Sequence, residues 1–111
     1  MNWKNKFDLE MNQAHEARSR GNEGQARVCA RRAAGEVIRA YFLARQIAPG
    51  AKSAAYELIT VLLEDPGLSS EVRRSAQNLV MRVDDQFNLP AEIDLIFDAQ
   101  FLAERLMPRD S

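Results

Sequence analysis

The stretch from Gly24 to Gln46 constrains this chain most. It is rich in alanine and arginine, holds no proline, and places Ala26, Ala30, Ala33, Val37, Ala40, Tyr41 and Ala44 on one side at three- and four-residue spacings. That period belongs to an α-helix and not to a strand. Four further stretches follow the same rule. Trp3, Phe7, Met11, Ala14 and Ala17 define a first helix whose apolar face shrinks toward its end, and Gly21-Asn22-Glu23-Gly24 stops it. Small residues on both helices let them approach closely beside that turn and diverge toward Phe7 and Tyr41. Gly35 lies mid-helix at a cost of about 1 kcal/mol relative to alanine, which marks it as a candidate close-packing point.

Pro49-Gly50 is read as the end of the second helix. Ala54 to Glu64 forms the third, with Ala55, Leu58, Ile59, Leu62 and Leu63 as its stripe. Asp65-Pro66-Gly67 is a turn, and Ser69 or Ser70 is the natural N-cap of a fourth helix lined by Val72, Ala76, Leu79, Val80, Val83 and Phe87. Pro90 suits the first turn of a fifth. There Leu95, Ile96, Ala99, Leu102, Ala103 and Leu106 form the stripe, and Ile93, Phe97 and Phe101 widen it. No segment alternates with period two. The expectation is a single all-α domain over residues 1–111, an up-and-down bundle of five helices joined by short loops.

Composition narrows the function classes. Apolar residues make up 46% and charged residues 28% of 111, enough for one core and too apolar for a disordered chain. The net charge is −1, so nothing draws the whole molecule toward nucleic acid. The charge is uneven, however. Residues 1–52 carry ten Lys/Arg against five Asp/Glu (+5), and residues 53–111 carry five against eleven (−6). No apolar run approaches the roughly 18 residues of a membrane span, and the opening Met1-Asn2-Trp3-Lys4 lacks a signal-peptide core. A cytoplasmic location away from the membrane follows as the expectation. Cys29, the lone cysteine, falls among Val28, Ala30 and Ala33 and reads as a small buried residue.

Catalytic grammar is missing. His15 is the sole histidine, and neither Glu16 nor Met11 stands at a recognised ligand spacing from it. Ser19 lies one turn from His15, a pairing common by chance. Asp94 and Asp98 are one turn apart and read as an exposed acidic face near a helix N-terminus, which the helix dipole favours; no Glu-x-x-His pair accompanies them as di-metal bundles require. No catalytic residue, metal or cofactor is therefore expected. Arg27, Arg31 and Arg32 form the strongest candidate contact for an anion or partner. No aromatic residues interleave with them for base stacking, and no glycine-rich phosphate loop accompanies them. Tyr41, Phe42, Phe97 and Phe101 are the candidate interface residues.

Two resemblances bear on these residues. Gly21-Asn22-Glu23-Gly24-Gln25-Ala26 resembles the turn inside a tetratricopeptide repeat, but it covers one helix pair and no 34-residue recurrence follows. The whole chain more closely resembles the HEPN superfamily of helical bundles. The features that carry this are the Gly turn, the Ala-rich helix ending in Val37-Ile38-Arg39-Ala40-Tyr41-Phe42, the short helix opened by Ser53-Ala54-Ala55-Tyr56-Glu57-Leu58-Ile59, and two later helices divided by Phe87-Asn88-Leu89-Pro90. Catalytic members pair an arginine with a histidine, with four to six residues between them. Arg82 meets Phe87, Asn88 and Leu89 at those spacings, and His15 looks back to Asp8, Leu9 and Glu10. The resemblance thus implies the fold and a homodimer, without the nuclease. The expected function is a non-enzymatic interaction or scaffold module acting through protein–protein contacts. Nucleic-acid or nucleotide binding through the arginine-rich second helix is the alternative.

Overall fold

Five helices account for most of the residues that the computed structural model describes, namely 2–47, 54–81 and 93–107. They are α1 (Trp3–Ser19), α2 (Glu23–Ala44), α3 (Ala55–Leu62), α4 (Ser70–Val80) and α5 (Leu95–Leu106). Among the described residues there is no strand, and no helix is long and apolar enough to cross a membrane. The all-α bundle expected from periodicity is the architecture observed. The longest helix, α2, lies at its centre, packed against α1, α3 and α5, while α4 packs on α5 and α3.

Local chemistry sets most boundaries. The Asn2 side chain accepts from the Asn5 N–H at 3.1 Å and caps α1. At its other end Gly21 takes a φ of 77°, the Asn22 N–H reaches the Ala17 carbonyl at 2.8 Å, and the Gly21 N–H reaches Arg18 at 2.9 Å. These two bonds satisfy carbonyls that the helix end would otherwise leave orphaned. Asn22 then caps α2 through a 3.1 Å bond from the Gln25 N–H. Ser69 caps α4, accepting from Val72 at 3.2 Å.

The C-terminus of α2 departs from expectation. It closes at Gln46, not at Pro49-Gly50, which lie outside the described residues. Gln46 adopts a φ of 60°, and the Ile47 N–H bonds the Phe42 carbonyl at 2.8 Å. This repeats the α1 closure with a non-glycine residue in the left-handed region. The third helix is shorter than expected: after Leu62 the chain tightens into turns in which Glu64 N–H bonds the Val61 carbonyl and Asp65 N–H the Leu62 carbonyl, and only Leu58, Ile59 and Leu62 of its stripe are buried. Val83, Phe87 and Pro90 also fall outside the described residues, and α5 begins at Leu95 with Asp94 as its cap.

The core holds Phe7, Met11, Val37, Ile38, Leu79, Leu95 and Leu102 beside a layer of alanines. Ala14 and Ala17 on α1, and Ala26, Ala30 and Ala33 on α2, are fully buried, as the small-residue stripes require. Each fully buried leucine or isoleucine contributes about 1.5–3 kcal/mol of transfer free energy. Gly35 marks a close crossing of α2 and α3. A Cβ added there would lie 2.8 Å from the Ala55 Cβ and 3.0 Å from its Cα.

Candidate binding groove between α4 and α5

Three arginines are used to hold elements of the bundle together. Arg18 on α1 grips Glu23 at the start of α2, with Nε–Oε1 and Nη2–Oε2 distances of 3.0 and 2.8 Å. The same guanidinium reaches Asp94 at the start of α5, 3.1 and 3.2 Å away. These bonds raise the Arg18 pKa, and its hydrogen bonds hold Glu23 below the usual carboxylate range. At Asp94 burial pushes upward, but Arg18 and the Phe97 and Ile96 N–H groups outweigh it and the net shift is downward. Arg73 on α4 donates to the Leu63 and Asp65 carbonyls at 2.8 and 2.6 Å, closing the exit from α3.

Arg31 is the third, and one of its N–H groups is used inside the bundle. Its Nε donates at 2.6 Å to the Leu79 carbonyl in the last turn of α4, where the helix leaves carbonyls unpaired. Burial lowers the Arg31 pKa, and the nearby Arg27 adds to that effect. Arg27 is half-buried and Arg32 exposed. Arg32 borders a different depression, with Glu36 and Arg39. The three candidates thus differ in exposure, with Arg27 and Arg31 half-buried and near each other and Arg32 open to solvent.

The candidate interface residues also separate. Successive helical residues point about 100° apart, so Tyr41-Phe42-Leu43 faces three ways. Phe42 is 5% exposed and belongs to the core, which removes it from any surface. Tyr41 is half-buried beneath the Arg45 guanidinium, 4.3 Å from its ring centroid. Phe97 and Phe101 stay together. Their rings stack on α5 with centroids 6.2 Å apart and planes 21° apart, and Phe97 is 62% exposed. Arg105 lies over Phe101 at 4.8 Å and pairs with Glu71 of α4 at 3.6 Å.

Beside this aromatic pair runs a groove of about 650 Å³ between α4 and α5. Asp98 lines it, and here the expected exposed acidic face is corrected. Asp94 serves as an N-cap, accepting from the Ile96 and Phe97 N–H groups at 3.0 and 3.2 Å. Asp98 turns inward and is only 5% exposed. It accepts from Ser75 Oγ at 3.1 Å and from Asn78 Nδ2 at 3.2 Å. Burial holds its carboxyl above the usual carboxylate range, Asp94 adds to this, and the Asn78 and Ser75 hydrogen bonds offset part of it. Asp98 and Ser75 could have been noticed from spacing alone. Asp98 falls three residues after Leu95 and four before Leu102, and Ser75 three after Val72 and four before Leu79, so both interrupt buried stripes.

Elsewhere the candidate groups are ordinary. His15 is exposed, and the Ser19 hydroxyl donates to the Glu16 carbonyl at 2.8 Å. Cys29 is buried, as expected, with Gln25 Nε2 3.5 Å from its sulfur. Among the described residues no three His, Cys, Asp or Glu side chains are grouped to hold a metal ion. No family model, curated protein or solved structure matches this chain significantly.

Proposed function

We propose that this chain is a non-enzymatic interaction module, of the kind found among non-catalytic HEPN-like bundles, that contacts another polypeptide through its α4–α5 face. One observation carries this reading. Phe97 stands 62% exposed on a helix whose neighbouring apolar residues are buried, stacked on Phe101 at the rim of a groove. Burying a phenylalanine side chain is worth about 1.5–3 kcal/mol, and aromatic residues dominate the centres of protein interfaces. The bundle order, with a long alanine-rich α2 followed by a short α3, supports the HEPN-like part of the proposal. Self-association as a homodimer and a cytoplasmic location belong to the same reading. The alternative, nucleic-acid or nucleotide binding by Arg27, Arg31 and Arg32, has less support because Arg31 is committed to the Leu79 carbonyl.

The test is sedimentation of the purified chain together with affinity capture from its native extract, each repeated with Phe97→Glu. A dimer mass or a stoichiometric protein partner is expected, lost in the variant while its helical circular dichroism is unchanged. A monomeric chain that captures no protein would overturn the reading, as would an assembly indifferent to Phe97→Glu.

A further inference from the structure

We draw no further inference here: the strongest candidate, the depression that Glu10, Arg32, Glu36 and Arg39 line beside Gly35, carries nothing, because the feature that would mark it, a Glu10 Oε1 atom without a hydrogen-bond partner among the described residues, is itself closed to solvent and nothing in the structure shows what would occupy the space.

Discussion

Replacing Gly35 with alanine sets two known terms against each other. In an unobstructed helix the substitution stabilises by about 1 kcal/mol, because alanine loses less backbone entropy. Here the new methyl would stand 2.8 Å from the Ala55 Cβ and 3.0 Å from its Cα. Carbon pairs are comfortable at about 3.5–4.0 Å. Neither neighbouring atom is the tip of a flexible side chain, so α3 itself must move. It carries Leu58, Ile59 and Leu62 in the core, and their packing would move with it. Forced overpacking costs about 1–3 kcal/mol. The balance is a net loss of about 1 kcal/mol, within a range of about 0–2 kcal/mol. For a domain near this size that lowers the thermal midpoint by about 4–8 °C per kcal/mol.

The assay is urea and thermal unfolding followed by circular dichroism, run as a double-mutant cycle with Ala55→Gly. Removing the Ala55 methyl should return much of the loss, giving a favourable coupling of about 1 kcal/mol between the two positions. A Gly35→Ala variant stabilised by the full propensity term, with no coupling to Ala55, would refute the close α2–α3 crossing.

Two further outcomes test the roles assigned to charged groups. Arg31→Met should destabilise the bundle by about 1–3 kcal/mol, because it leaves the Leu79 carbonyl without its charged donor, whereas Arg32→Met on the exposed face should stay within about 0.5 kcal/mol; equal effects in urea unfolding would contradict the difference. Asp98 has a folded-state pKa above its unfolded value, so ionisation costs the folded state stability as pH rises from the unfolded pKa through the folded one. The midpoint of Asp98→Asn relative to the parent should therefore be more favourable at neutral pH than at pH values below the ordinary carboxylate range, and a difference that is flat or reversed would contradict the burial argument.

The five helices were legible because their signals are local. Stripes recurring every three or four residues, Ser69 ahead of α4 and Gly21 after α1 each act within a turn or two of chain. Even locally there was competition. The distant Pro49-Gly50 pair is the stronger breaker on paper, yet Gln46 accepts the left-handed geometry because the Ile47 N–H can then reach Phe42. Gly35 was legible as a close-packing point, but its partner, Ala55, was not.

The candidate site belongs to the other category. Sequence shows seven arginines from Arg18 to Arg45, but not that Arg31 will spend its charge on a carbonyl of α4, 48 residues away. It shows Phe42 and Phe97 as similar aromatic residues, and only the rotation of each helix against its neighbours buries one and exposes the other. It shows Asp94 and Asp98 one turn apart; Asp94 caps the backbone of its own helix, whereas the approach of α4 seats Asp98 between Ser75 and Asn78. Periodicity fixes which residues share a face of one helix, since that follows from the 3.6-residue turn. Which face meets which partner, and hence which carboxylate is buried and which stays at the surface, depends on packing every helix at once.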